Sequence, residues 1–240
     1  MRRIKSAIKN ALGGAPKDDA FAHHLRESTA FQYIGNSGRE IEEIFAHASH
    51  IKGWFNLDDC AHFLLVLRQQ SLLGMEGDIF EIGSYHGRST AIMATALKPS
   101  EKVVICDAFE ADTEDFYQDK PTEEFVVDNI MGVARNISRD QIELHKCLSN
   151  EISLTPDRKF RFLHIDGGHS EEQAYLDLAL CAKHAMKNAI IVMDDYAHPT
   201  FPGVKAGTDR FLSEHPDIAV FADLNRHGAL GRKLYLSKLA

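Results

Sequence analysis

Two apolar runs that each stop abruptly at acid constrain this chain more than any other feature. They are FLHIDGGHS, Phe162 to Ser170, and IIVMDDY, Ile190 to Tyr196. Their length and Ile/Val/Leu/Met content are those of strands buried on both faces, and such strands belong to parallel sheets covered by helices. Asp166, Asp194 and Asp195 then fall at neighbouring carboxyl ends of one sheet, the edge where open α/β sheets bind their ligands. Three carboxylates gathered there repel one another unless a cation or shared protons relieve them. A hard divalent ion with oxygen ligands, most simply magnesium, meets that need. His169 stands beside the same site.

The remaining elements alternate. Strands are predicted at Asp78 to Ile82, Val103 to Cys106, Ile142 to His145, Phe160 to Ile165, Ala189 to Met193, Ile218 to Phe221 and Lys233 to Leu236. Helical spacing marks Asn56 to Ser71, Ser89 to Leu97, Glu123 to Asn136, a short piece near Asn150 and Glu171 to Lys187, with Asn56, Thr122 and Ser170 as N-caps. In the first of these helices Asn56 and Asp59 form a capping box, and Ala61, Leu64, Leu65 and Leu72 mark the apolar side. This is βαβ repetition, hence an α/β fold: a Rossmann-like, seven-stranded, mostly parallel sheet with right-handed crossovers. No helix separates the last two strands, which therefore pair as a C-terminal antiparallel hairpin. An N-terminal helical layer, residues 1–55, precedes the main domain, residues 56–240.

With 240 residues, 44% of them hydrophobic, the chain can bury one good core. Its formal net charge of -8 and the lack of a Lys/Arg stripe argue against a nucleic-acid footprint. Cys60, Cys106, Cys147 and Cys181 form no CxxC pair and read as reduced core thiols, which points to the cytoplasm. No run reaches the roughly 18 apolar residues of a membrane span, and no signal-peptide core is present. Met1 to Leu12 has a basic amphipathic pattern, read as a solvated leader helix rather than a membrane contact. Residues Glu110 to Pro121 combine acids with proline and read as a surface loop near the active edge.

The first strand runs into FEIGSYHGRST, a strand-turn-helix junction with glycines at Gly83 and Gly87 and free N–H groups at the helix start near Ser89. The spacing is not GxGxxG, and Glu81 puts a carboxylate where a pyrophosphate tolerates none, whereas an adenosyl cofactor carrying an ammonium group tolerates it. Asp107, closing the second strand, is placed to accept hydrogen bonds from two ribose hydroxyls. Ser149, past the third strand, is within reach of an adenine, although loop polarity accounts for it equally well. Trp54 is a core anchor by base rate, and with Tyr33 it is also a candidate for the pocket wall. Tyr196, His198 and Phe201, following the acidic doublet, are candidates for the wall that holds an acceptor.

EIGSYHGRST, the acid at Asp107, HIDGGHS, and VMDDY followed by FPGVKAGTDRFL together resemble the class I S-adenosylmethionine-dependent methyltransferases, nearest the metal-dependent macrolide-sugar O-methyltransferase group. The resemblance runs from about Gly53 to the C-terminus. It implies a cofactor site of Glu81, Gly83, Ser84, Tyr85, Gly87, Ser89, Asp107, Ala108, Phe109, Ser149 and Asp166. It also implies a magnesium site of Asp166, Asp194 and Asp195. Related catechol enzymes carry a lysine base where this chain has His169, and the last ligand here is Asp195, a pattern similar to that of the sugar enzymes. In such enzymes extra N-terminal helices commonly serve dimer contacts, so a homo-oligomer is expected.

The chemistry of an alcohol agrees with this reading. An aliphatic hydroxyl is a weak nucleophile that needs a base to take its proton and something to stabilise the alkoxide. His169, with an ordinary pKa of about 6.5, suits the first role and a metal ion the second. The expectation is a magnesium-dependent O-methyltransferase acting on a hydroxyl of a sugar or glycosylated small molecule. The rivals are a metal-free methyltransferase, a hydroxylase-like relative on the same fold, and a non-catalytic cofactor-binding scaffold.

Overall fold

A computed structural model of the chain describes residues 29–109, 119–226 and 229–239. Helices α1 (Thr29–Ala48) and α2 (Leu57–Leu72) lead into β1 (Asp78–Ile82), α3 (Arg88–Ala94), β2 (Val103–Asp107) and α4 (Glu123–Val133). After a short 3-10 turn come β3 (Ile142–Lys146), β4 (Phe160–Ile165), α5 (Glu171–His184), β5 (Ala185–Tyr196), α6 (Pro202–Glu214), β6 (Ile218–Asn225) and β7 (Arg232–Lys238). The seven strands form one sheet in the order β3-β2-β1-β4-β5-β7-β6. Strands β1 to β5 pair in parallel, and β7 lies antiparallel between β5 and β6. The strand order reverses between β1 and β4, so a crevice opens at their carboxyl ends.

Side chains alternate across the sheet and sort its two faces. Phe63 of α2 packs edge-on against Phe162 (5.0 Å between ring centres) and His164 (4.9 Å). On the opposite face Phe80, Leu163, Ile191 and Met193 join Leu178 and Cys181 of α5 and Phe211 of α6 in one buried cluster. Local chemistry sets the helix starts. Asn56 and Asp59 close a reciprocal capping box on α2, Thr122 accepts the Phe125 N–H at the head of α4, and Ser170 accepts the Gln173 N–H at the head of α5. The expected strand set and hairpin are present.

Three local expectations change and one unexpected helix appears. The buried side of α2 is Cys60, Phe63, Leu64 and Leu67, while Leu65 and Leu72 are exposed, because the stripe follows the Phe63 side that meets the aromatic sheet face. Helix α5 ends at His184, and Ala185 to Asn188 join β5, Ala185 pairing with Phe160 and Asn188 taking a left-handed φ of 64°. Near Asn150 there is a turn and no helix. Helix α6 carries a proline at its first position and a buried row of Val204, Gly207, Thr208 and Phe211.

Contacts divide the chain into two compact units, Met1–Glu43 and Ile44–Ala240. Residues 44–55, expected within the leader, belong to the unit that carries the sheet. Residues 1–28, including the basic amphipathic segment, and residues 110–118 of the acidic loop lie outside the described residues. Among the described residues no helix is long and apolar enough to cross a membrane.

Candidate active site

A cavity opens at the carboxyl ends of β1, β2 and β4, bounded by the turn Gly83–Ser84–Tyr85, Asp107–Ala108–Phe109, Leu148–Ser149 and the loop Asp166–His169. Gly83 turns the chain with φ of 80°, and a Cβ there would run into the Asp166 carbonyl oxygen, so only glycine lets the β1 and β4 turns approach this closely. Asp107 anchors the turn. One of its oxygens accepts the Ser84 and Tyr85 N–H groups (2.7 and 2.9 Å) and the other accepts the Phe109 N–H at 2.7 Å. Burial raises its pKa above the usual carboxylate value, with those three backbone donors opposing the rise. A carboxylate offers about four acceptor positions, so Asp107 retains capacity for a ligand hydroxyl. Tyr85 and Phe109, on either side of it, hold left-handed φ values of 51° and 48°, strain concentrated at the cavity mouth.

Glu81 and Gly87 do not line this cavity. The Glu81 side chain is on the sheet face opposite to Ile82 and is fully buried, and its oxygens are engaged by Ser89 (2.6 Å), Thr90 and His164 Nδ1 (2.8 Å). It is a structural acceptor beneath the turn, which corrects its expected place in the cofactor site. Gly87 instead starts α3 with φ of 86°. Ser149 lines the cavity but donates to Asp177 (2.6 Å) and accepts from Gln173 (2.7 Å).

Sequence reasoning missed Arg88. Its guanidinium donates to the carbonyls of Ser49 (3.1 Å), Ile51 (2.5 Å), Gly53 (2.6 Å) and Phe55 (3.2 Å), tying residues 49–55 down beside the cavity. Trp54 in that segment lines the cavity and stacks on Tyr85 at 5.5 Å, with 68% of its surface exposed. Trp54 is therefore a rim residue rather than a core anchor. Lys52 pairs with Asp119 at 2.6 Å on the same rim. The signal for Arg88 was a cation at the first helical position after the glycine turn, a place where dipole arguments favour anions and a cation needs another purpose.

His169 lines the cavity, half-buried. Its ring stacks on Phe201 at 3.8 Å, and its Nε2 lies 3.4 Å from an Asp195 oxygen, so an aromatic wall and a carboxylate orient it. His198 stacks on the far side of Phe201 at 4.6 Å. Tyr196, His198 and Phe201 do not themselves line the cavity. Tyr196 turns toward α6, where its hydroxyl donates to Asp209 (2.9 Å), which corrects its assignment as acceptor wall. Phe201 and His198 back the histidine.

The three acids do not form the expected tripod. Asp166 is exposed and opens on the cavity. Asp194 points into the α2 side of the sheet, where it is 5% exposed. One of its oxygens receives the Lys233 ammonium, with His164 Nε2 3.7 Å away, and the other receives Arg226 at 2.9 Å and the Asp195 N–H at 2.7 Å. Burial opposes its ionisation, but Lys233, with His164 and Arg226 behind it, outweighs burial and holds the carboxyl well below the usual range. Asp195 serves His169 and lies 3.7 Å from Arg226.

His164, Asp166 and Asp194 do bring potential ligand atoms within 4.8 Å of one another. A magnesium ion there would nevertheless meet an ammonium on one Asp194 oxygen and a guanidinium on the other. It would also meet a His164 ring whose Nδ1 is held by Glu81 and whose Nε2 stands 3.3 Å from Lys233 Nζ. Displacing Lys233 would leave a buried charge unpaired, at a cost of about 3–5 kcal/mol. The residues do not fit the ion.

Residues 80–196 match the family model of a methyltransferase domain. No curated protein sequence matches the chain significantly. Among solved structures, a Klebsiella pneumoniae protein assigned by inference as an O-methyltransferase superposes with a TM-score of 0.61 at 12% identity, covering 99% of this chain and 97% of that one. The O-methyltransferase TomG of Streptomyces achromogenes, involved in tomaymycin synthesis and solved with S-adenosylmethionine, superposes at 0.58 with 16% identity, covering 85% and 90%. CalS11, a TDP-rhamnose 3'-O-methyltransferase of calicheamicin biosynthesis, superposes at 0.54 with 14% identity, covering 88% and 95%. At these identities the likeness is one of fold.

Proposed function

We propose that this chain is a class I methyltransferase that moves a methyl group from S-adenosylmethionine to a hydroxyl of a small molecule, of which a sugar or glycosylated compound is the favoured class. The observation that carries the proposal is one cavity that brings Asp107, the Gly83 turn and His169 to the same sheet edge. Asp107 would hold the ribose hydroxyls through its remaining acceptor positions. Ala108, Phe109 and Leu148 offer apolar surface to an adenine. When bound, S-adenosylmethionine supplies an electrophilic methyl group on a sulfonium. The fit rests on that donor set.

His169 takes the proton of the acceptor hydroxyl as general base. Asp195 beside its Nε2 and Phe201 against its ring keep the imidazole from rotating away. The Asp195 carboxylate also favours the imidazolium that forms. Trp54, exposed on the rim and stacked on Tyr85, gives a flat apolar face against which a sugar ring can lie. Asp166 and His169 in the cavity lining offer hydrogen-bond partners to a hydroxylated acceptor, and a sugar is the substrate class named for CalS11. The expected magnesium ion is no part of the reaction proposed.

Replacing His169 with Ala tests the assignment. Turnover should fall by at least about 100-fold, the range general bases contribute, while affinity for S-adenosylhomocysteine changes less than twofold. Equal loss of both would remove His169 from the role of base. A protein silent toward S-adenosylhomocysteine in calorimetry would remove the methyl-transfer reading.

A further inference from the structure

Four adjacent strands carry an unusual buried polar row on the face beneath α2. Glu81 of β1, His164 of β4, Asp194 at the end of β5 and Lys233 of β7 are each 5% exposed or less. The row is continuous: Ser89 and Thr90 bond Glu81, Glu81 bonds His164, and His164 and Lys233 both meet one oxygen of Asp194. Arg226 closes it on the other Asp194 oxygen and reaches toward Asp59 of α2 at 3.6 Å. The aromatic rings of Phe55 and Phe63 lie 5.2 and 5.5 Å from the Lys233 ammonium and seal it from water.

A lysine with no exposed surface is costly to place and needs a compensating reason. Its position supplies one. The ammonium occupies one oxygen of the Asp194 carboxylate, where a cation was expected, while Arg226 neutralises the other. His164 bridges the row, its Nδ1 2.8 Å from Glu81 and its Nε2 3.7 Å from the Asp194 oxygen that also receives Lys233, so each buried acid has nitrogen partners within the row.

We propose that Lys233 is a built-in replacement for a divalent cation: its ammonium, with Arg226, satisfies Asp194 permanently, and the protein has no functional metal seat at the carboxyl ends of β4 and β5. The inference deepens the methyl-transfer reading and rests on it only for the meaning of the site, because the binding test below needs no turnover. Asp166 is then left as the one acid of the trio facing the cavity, free to accept a hydrogen bond from cofactor or acceptor.

Titration of Mn²⁺ followed by electron paramagnetic resonance tests this on the full-length protein. Wild type should bind no Mn²⁺ at millimolar concentration, and S-adenosylhomocysteine affinity should be the same with and without EDTA. Lys233→Met keeps length and apolar fit but removes the charge, and it should create a Mn²⁺ site at least tenfold tighter than any in wild type. Adding Asp194→Asn should abolish that site. Wild-type protein that binds Mn²⁺ stoichiometrically and loses it on Asp194→Asn overturns the proposal. So does a Lys233→Met protein, shown folded by its S-adenosylhomocysteine binding, that gains no site. The wild-type titration decides alone if that variant fails to fold.

Discussion

At the scale of single residues, the site depends on a few side chains whose neighbours leave them little choice. Gly83→Ala would place a methyl group against the Asp166 carbonyl and force a left-handed φ on alanine. Soluble variant protein should lose about 2–3 kcal/mol in urea denaturation and bind S-adenosylhomocysteine at least tenfold more weakly. Phe201→Ala removes the ring that holds His169, and kcat should drop about fivefold with cofactor affinity unchanged, consistent with an aromatic contact of about 1 kcal/mol. The place of Asp107, Asp166 and His169 at the cavity was legible because strand-ending acids and a nearby histidine announce themselves in sequence. The fate of Asp194 was not legible. Nothing in KLYLSK says that Lys233 points inward, since its partner lies 39 residues away and only the β5–β7 register brings the two together.

At the scale of elements, caps and close packing decide where the loop carrying His169 sits. The Thr122 cap on α4 is a single hydroxyl accepting the Phe125 N–H, so Thr122→Ala should cost about 1 kcal/mol in chemical denaturation and leave turnover unchanged. Helix α6 is more demanding. A Cβ at Gly203 would strike the His169 carbonyl oxygen, and one at Gly207 would strike the Glu171 carbonyl oxygen. These two glycines let α6 lie against the backbone that carries the histidine. Gly207→Ala should therefore destabilise by about 1–3 kcal/mol and reduce kcat as well, because the shift passes through α5 to His169. Strands β1 and β4 were legible to the residue, since both faces are buried and the apolar run is unbroken. Residues 185–188 were misread because Ala185 and Met186 fit helix and strand alike, and pairing with Phe160 decides between them. The buried row of α6 was present in FPGVKAGTDRFL, but its two glycines mask the helical period.

At the scale of the whole molecule, the edge opposite the cavity holds a second buried ion pair that sets acid stability. Arg161, fully buried on β4, donates to both oxygens of Glu101 at 2.8 Å and to Gln70 at 3.1 Å. Burial alone would raise the Glu101 pKa, but the Arg161 bonds win and lower it from its ordinary 4.5. A folded pKa below the unfolded one contributes stability that is present above pH 4.5 and is lost as pH falls through the folded value. Glu101→Gln should then be less stable than wild type by about 3 kcal/mol at neutral pH. That gap should narrow below about pH 4.5 in urea titrations across pH. A gap independent of pH would assign the loss to packing.

The account rests on one cavity at the β1–β4 switch receiving S-adenosylmethionine through Asp107. Calorimetric titration of S-adenosylhomocysteine into wild type, Asp107→Ala and His169→Ala, all in EDTA, tests that most directly. One site is predicted in wild type, weakened at least tenfold by Asp107→Ala and unaltered by His169→Ala. Absence of binding to wild type, or equal affinity in the Asp107→Ala protein, would contradict it.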